Sequence, residues 1–334
     1  MNEVTKDKPV DNMAIKQFGE DQELRNELLR IYKSEFINTP FAQRFEAFLN
    51  NLRKERRFGI VGAYTRNGKT WCIKDIVQNS GAYKRFGGDS RIPVIAIRAA
   101  DTVNDMIVSL CRSFGKMPNS RIYILKNWLF ENIPLLGVEQ IIIDDAHELT
   151  LNHFKFIKEL TDTLEVERNY TPSVVLSSIT SSKSIGVYRK IINYSTEDWM
   201  QQFFERFRLA REVEGHTEEE TGSILYTYEH LYKPLLPDIK LTEYTRNIFG
   251  WLTNTELDSN HTNRVAMEHL SKLIYNAAKL AALDLKIKNI PLDLLHHVYE
   301  VFLTGKDRLY STENEPVYKP KNVKETEEKV ASAL

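Results

Sequence analysis

The sequence predicts an α/β fold, a parallel sheet flanked by helices with a small all-helical domain behind it. Three observations carry that expectation. Short runs that are apolar throughout alternate with amphipathic stretches of helical period, one such run passes through a polar turn directly into a helix, and strand-like runs stop after Gly215. Strands apolar on both faces belong to sheets covered on both sides, and parallel strands need helical crossovers. With 42% hydrophobic residues in 334, the chain can bury a sizeable core and build two packed domains with tails.

Residues 1–18 are polar and lack the apolar stretch of a signal peptide, which predicts a mobile N-terminus. Residues 19–57 predict helices leading into the core. Leu24, Leu28, Ile31 and Tyr32 share a face, and the pattern breaks at Asn38-Thr39-Pro40, because proline biases the preceding residue away from helix. A second helix follows through Phe41, Phe45, Phe48 and Leu49. The α/β domain is expected over 58–215, with strands at FGIVG (58–62), PVIAI (93–97), QIIID (140–144), SVVLS (173–177) and LAREV (209–213). Helices are expected from Lys69, over 101–114 and 121–132, and through Phe154, Ile157 and Leu160. A helical lid domain is expected over 216–304, with helices near 218–231, 242–252, 263–283 and 292–303; in the third, Leu270, Ile274, Ala277 and Ala281 mark a packed face. Residues 305–334 are rich in Lys, Glu, Pro and Thr and predict a disordered tail.

The net charge of −1 excludes a surface basic all over, so any nucleic-acid contact has to come from a local patch. No apolar run approaches the roughly 20 residues of a membrane-spanning helix, and no membrane partner is expected. Cys72 and Cys111 fall in predicted helices without metal-type spacing. A cytoplasmic home is the expectation.

The strongest chemical signal is AYTRNGKT at 63–70, between a strand and a helix. Polyphosphate binding needs backbone N–H groups curled around a phosphate at a helix N-terminus. Ala63, Tyr64, Thr65, Arg66, Asn67 and Gly68 would form that loop, Lys69 would bridge the β- and γ-phosphates, and Thr70 would ligate Mg²⁺. The usual pattern begins with glycine; here that slot is Ala63, with Gly62 before it. The second signal is QIIIDDAHEL, which sets Asp144 at the end of an apolar strand, where a carboxylate can complete the Mg²⁺ shell opposite Thr70. Asp145 takes the slot of a water-orienting glutamate and Glu148 lies one turn on. Being one methylene shorter, aspartate predicts slow hydrolysis. After the strand SVVLS, Ser178 or Thr180 could sense a γ-phosphate, or form an ordinary polar turn. In ERFR, Arg206 is placed to act as an arginine finger, with Arg208 as the alternative. HTNRVAMEHL would open a helix with Asn263 and Arg264, from which Arg264 could fold over a nucleotide.

Taken together, FINTPFAQRFEAFLNNL, TRNGKT, VEQIIIDDAHEL and FERFR resemble the AAA+ target-selection ATPases of bacterial transposons, the TniB/TnsC group, over about 35–302. The resemblance implies a P-loop AAA+ ATPase that binds ATP and Mg²⁺ and assembles head-to-tail into rings or filaments around duplex DNA. It implies recruitment of a DDE-type transposase and loading by a TniQ-type adaptor, in some systems with an RNA-guided complex. By position it implies DNA contacts from Thr102, Asn104, Lys116 and Arg121. Departures are Ala63, Asp145, SSIT where a glycine-threonine turn is common, and the polar tail. Two other readings stand beside it: a replication-initiator or helicase-loader ATPase, which often adds a helix-turn-helix after the lid, and a nucleotide-locked scaffold with negligible turnover.

Overall fold

The computed structural model describes residues 23, 26, 29, 30, 36–80, 91–116, 120–181, 184–194, 196–283 and 287–305. The expectations for 1–18 and for the tail after Gly305 lie outside these residues. Of the first amphipathic helix, Glu23, Asn26, Leu29 and Arg30 are helical and Leu29 is buried.

Helix α1 (Pro40–Lys54) starts where the Thr-Pro pair directs it: the Thr39 hydroxyl accepts from the Ala42 N–H at 3.2 Å and Pro40 occupies the first turn. Such a cap stabilises a helix by roughly 1 kcal/mol, and proline there gives up only an N–H that would have no helical partner. Then come β1 (Gly59–Ala63), α2 (Lys69–Asn79), β2 (Val94–Arg98), α3 (Val103–Ser113), α4 (Ile122–Leu135), β3 (Gln140–Asp144) and α5 (Leu151–Arg168). The α/β part ends with β4 (Ser173–Ser181), β5 (Ser184–Ile185), α6 (Gly186–Asn193), α7 (Asp198–Arg206) and β6 (Ala210–Glu212). Strand order is β2-β3-β4-β1-β6, all parallel, while β5 turns back antiparallel onto β4 through Thr180 and Ile185.

The apolar strands divide their side chains between two cores, as a period of two requires. Ile60, Ile141, Ile143, Val174 and Leu176 enter one core with residues of α3 to α7, such as Leu110, Leu129, Phe154, Val187 and Phe203. Val61, Ile142 and Val175 enter the other with Phe45 and Leu49 of α1 and Ile73 and Ile76 of α2.

Two compact units divide the chain. One comprises Phe36–Thr221 and Asn260–Glu268; the other takes Gly222–Ser259, the described residues from His269 onward and those before Phe36. In the second unit, most of α8 (Glu218–Tyr232), α9 (Thr245–Leu252), α10 (Met267–Ala282) and α11 (Leu292–Val298) are followed by a π-helical turn at Tyr299–Thr304. Leu270, Ile274, Ala277 and Ala281 are fully buried there, as their spacing predicts. Trp251 stacks on Tyr299 at 5.7 Å between ring centres.

Three expectations need correction. Strand β4 runs on to Ser181, because Ser178 and Thr180 are buried in the sheet. Helices α6 and α7 occupy a stretch for which no element is expected. Residues 263–266 do not open a helix: Asn263 has φ 52° and Val265 pairs antiparallel with His216, so α10 begins only at Met267. Arg264 therefore lies in an extended segment of the α/β unit.

Candidate functional site

The carboxyl ends of β1, β3 and β4 converge at the start of α2, the edge of an open α/β sheet where crevices form. Register decides which side chains meet. Ile143 lies opposite Leu176, which sets Asp144 beside Ser177. Asp144 accepts hydrogen bonds from the Thr70 hydroxyl at 2.8 Å and the Ser177 hydroxyl at 2.9 Å, and is only 5% exposed.

The 64–68 loop leaves β1 with Arg66 at φ 69° and Gly68 at φ +92°. A Cβ at Gly68 would meet nothing within 4 Å, so its backbone angle, rather than crowding, calls for glycine. At Gly62 crowding decides: a Cβ would stand 2.6 Å from Thr180 Oγ1 and 2.5 Å from Ile185 Cγ1. Ala63 is fully buried, and its carbonyl is 3.4 Å from Lys69 Nζ. The loop is tied to the start of α10, within the α/β unit, since the Glu268 N–H donates to the Arg66 carbonyl at 2.9 Å. Asn67 is buried, Thr65 and Arg66 are exposed, and Tyr64 hydrogen-bonds Glu212.

Lys69 is 8% exposed, and burial lowers its pKa against the opposing pull of Asp144 and Asp145. A buried ammonium at the long end of hydrogen-bond range from a carbonyl is suited to an anion with several oxygens. The Thr70 hydroxyl and an Asp144 carboxylate oxygen lie 2.8 Å apart, a pair that suits Mg²⁺, which takes one or two protein oxygens and completes its shell with phosphate and water. The residues present therefore fit a magnesium-bound polyphosphate.

Asp145 follows in the left-handed region at φ 54°, which costs a non-glycine residue roughly 1–2 kcal/mol. Its carboxylate accepts from Arg98 Nε at 2.6 Å. Arg98, at the end of β2 opposite Asp144, was not among the residues expected at this edge. Glu148 is exposed and lies 3.2 Å from His147 Nε2. Ser178 faces away from Asp144: its hydroxyl accepts from the Val187 N–H at 3.1 Å and donates to the Ile179 carbonyl at 3.2 Å, anchoring α6. The serine on Asp144 is Ser177, one position earlier.

Arg264 pairs with Glu214 at 3.0 Å. It borders a cleft of about 290 Å³ whose lining includes Arg44, Arg211, Gly215 and Glu220. Arg44 pairs with Glu220, which also accepts from the Thr217 N–H at 3.1 Å and so closes a capping box at the start of α8. Behind it His216 is fully buried, with no hydrogen-bond partner on either ring nitrogen; burial lowers its pKa to about 4.

Arg206 ends α7 with its guanidinium on Asp162 and Thr161 of α5 and 3.6 Å from Glu165, whereas the Arg208 side chain is 77% exposed. Thr102 caps α3 by accepting from the Asp105 N–H at 3.2 Å, and Asn104 is exposed on the first turn. Lys116 follows the far end of α3, with its ammonium over the Trp128 ring, and Arg121 stands at the N-cap position of α4 without a side-chain cap. About 16 Å of helix separates Thr102 from the residues after Ser113, so these expected contacts are not one cluster. Among the described residues no helix is long and apolar enough to cross a membrane, and no group of three or more His, Cys, Asp or Glu is placed to hold a metal.

Residues 52–180 match the AAA domain family. No curated protein matches the sequence. Among solved structures the chain is similar to the ORC2 protein of Aeropyrum pernix in its ADPNP-ADP complexes, with a TM-score of 0.56 and 10% identity, covering 81% of this chain and 71% of that one. Drosophila ORC bound to DNA gives a TM-score of 0.53 and 12% identity over 94% of this chain and 73% of that one. Cdc6p from Pyrobaculum aerophilum gives 0.51 and 15% over 75% of this chain and 62% of that one. The fold is that of a P-loop AAA+ protein.

Proposed function

We propose that this chain is an ATP- and Mg²⁺-dependent DNA-binding regulator of transposition that assembles head-to-tail on target duplex DNA and recruits a DDE-type transposase. The observation that carries the nucleotide part is the meeting of buried Lys69 with Thr70 and Asp144 behind a left-handed loop. The transposon part rests on the resemblance of the Thr-Pro helix, the TRNGKT loop and the ERFR element to the TniB/TnsC group.

Magnesium-bound ATP supplies a γ-phosphoryl group that can pass to water. Lys69 binds phosphate oxygens, Thr70 and Asp144 hold the cation, and Asp145 or Glu148 orients the water. Arg98 restrains Asp145, which is consistent with slow turnover. Arg206 or Arg208 reaches a neighbouring copy; for Arg206 this means leaving Asp162. Arg264 and the cleft beside Gly215 adjoin the nucleotide's outer part. Thr102, Asn104, Lys116 and Arg121 contact DNA phosphates, which position a protein without reading sequence. A head-to-tail contact either closes into a ring or propagates as a filament. A TniQ-type adaptor, in some settings with an RNA-guided complex, loads the assembly.

The origin-recognition and Cdc6 structures favour a second reading from the same fold, a replication initiator or helicase loader; one of those structures is a complex with DNA. Electron microscopy with duplex DNA and a slowly hydrolysed ATP analogue, followed by capture of a purified DDE-type transposase, tests the lead reading. Rings or filaments that need both ligands and retain the transposase support it. Assemblies that ignore the transposase and load a replicative helicase support the second reading, and monomers in every condition contradict both.

A further inference from the structure

At the opposite end of the sheet, where β2 and β3 begin, lies a group of cations that the nucleotide site does not use. Helix α1 ends in the run LRKERRF (52–58), with Arg56 left-handed at φ 52°. The Arg57 N–H returns to the Leu52 carbonyl at 2.9 Å and the Arg56 N–H to that of Arg53 at 3.2 Å. This is the Schellman closure, whose left-handed position glycine fills without strain. An arginine held there against its backbone preference points to use of its side chain.

That turn carries the Arg56 guanidinium to 5.8 Å from the Tyr170 ring centre and 3.5 Å from the Val138 carbonyl, which also accepts the Tyr170 hydroxyl at 2.8 Å. Arg53 and Arg56 each approach Glu139 at 3.8 Å, on different oxygens, too far for the forked pairing guanidinium makes with an anion it grips. Arg91 passes beside Gly137, and its charge, like that of Arg56, acts on Tyr170. Lys54 and Arg57 lie exposed on the flank, Arg57 with Glu55 at 3.3 Å. Among the described residues, five cations (Arg53, Lys54, Arg56, Arg57 and Arg91) thus lie with two carboxylates, Glu55 and Glu139, in a chain of net charge −1.

We propose that Arg53, Arg56 and Arg91 form a phosphodiester-binding site for a nucleic-acid backbone, separate from Lys116 and Arg121. The inference rests on the DNA-binding part of the proposed function. Guanidiniums held in place before any ligand arrives, Arg56 by Tyr170, Val138 and Glu139 and Arg53 by Glu139, with Arg91 close enough to act on Tyr170, suit the phosphate charges of a stiff backbone. The carboxylate within reach, Glu139, is left at long range, so a carboxylate-bearing peptide is the poorer fit.

Anisotropy of a short labelled duplex, titrated with the full chain and the ATP analogue at several salt concentrations, tests the site. The variants are Arg56→Gly, which relieves the left-handed strain, Arg91→Gln, and their combination, beside Lys116→Ala. Arg56→Gly should melt no lower than wild type yet bind about 3- to 10-fold more weakly, and each lost arginine should reduce the slope of log K against log salt by about 0.9. Unchanged affinity and slope in the arginine variants, with Lys116→Ala weakened, would overturn the site and leave the DNA reading standing. No binding by the wild type under any condition would overturn both. If polyglutamate bound the wild type but not Arg56→Gly, while duplex binding stayed unaltered, the site would take acidic protein segments and the inference would fall.

Discussion

Replacing Asp144 by asparagine keeps the shape of the site and removes its central charge. Two hydroxyls, Thr70 at 2.8 Å and Ser177 at 2.9 Å, now donate to a carboxylate that is 5% exposed. With a neutral acceptor each bond loses about 1 kcal/mol, the gap between charged and neutral hydrogen bonds. Lys69 also loses the larger of the two carboxylate influences that oppose its burial, leaving Asp145 alone. Breaking a buried contact ion pair costs about 3–5 kcal/mol; Lys69 Nζ bonds the Ala63 carbonyl and feels Asp144 only through its field, and Asp145 remains, so the effect stays below that. The expected loss is about 2–4 kcal/mol for the free protein, read from urea unfolding at pH 7. In the same variant the Mg²⁺-dependent part of nucleotide affinity should fall at least about tenfold, some 1.4 kcal/mol, in titrations with and without the metal. Stability within about 0.5 kcal/mol of wild type, the scatter of surface substitutions, together with unaltered Mg²⁺ dependence would refute the placement of Asp144 at the metal and beside Lys69.

Other consequences are as direct. Arg98→Ala removes the partner of Asp145 from a largely exposed pair, so melting should change little while phosphate release rises about fivefold, near 1 kcal/mol in the barrier; equal or lower turnover would end the idea of restraint. His216 is held neutral by burial, with its pKa lowered from 6.5 to about 4. The folded state therefore gains from it above pH 6.5 and loses as the unfolded histidine protonates, by about 2 kcal/mol at pH 5 relative to pH 7. His216→Phe should flatten that part of the urea-unfolding profile, and a profile of unchanged slope would contradict it. Arg206→Ala should leave nucleotide binding by the monomer intact while weakening assembly measured by light scattering; loss of binding in the monomer would instead assign Arg206 to its contacts with α5.

The parts of the fold that local pattern determines were legible in the sequence. QIIID ends where β3 ends, because an apolar run closes on a charged residue at a sheet edge. The Thr-Pro pair announces α1 for a similarly local reason, a side-chain cap and a fixed φ. What depends on distant pairing was hidden. Residues 263–266 continue a helical spacing, yet Val265 pairs with His216 and keeps the segment extended. Ser178 and Thr180 look like a polar turn, but β5 folds back on β4 and buries them. The site divides likewise. Lys69, Thr70 and Asp144 follow from motif spacing, whereas the choice of Ser177 over Ser178 is a matter of strand register. Arg98 carries no signal of its own and meets Asp145 only because β2 lies beside β3.

Equilibrium titration of a fluorescent ATP analogue with Mg²⁺ against wild type and Lys69→Ala tests whether this site holds a nucleotide. Lys69 is a buried cation at the start of α2, directly after the 64–68 loop, with its ammonium 3.4 Å from the Ala63 carbonyl. Saturable binding by the wild type, weakened at least about tenfold in Lys69→Ala with unfolding still cooperative, is the predicted result. Equal affinity in the two proteins, or none in the wild type, would contradict a nucleotide switch at this site.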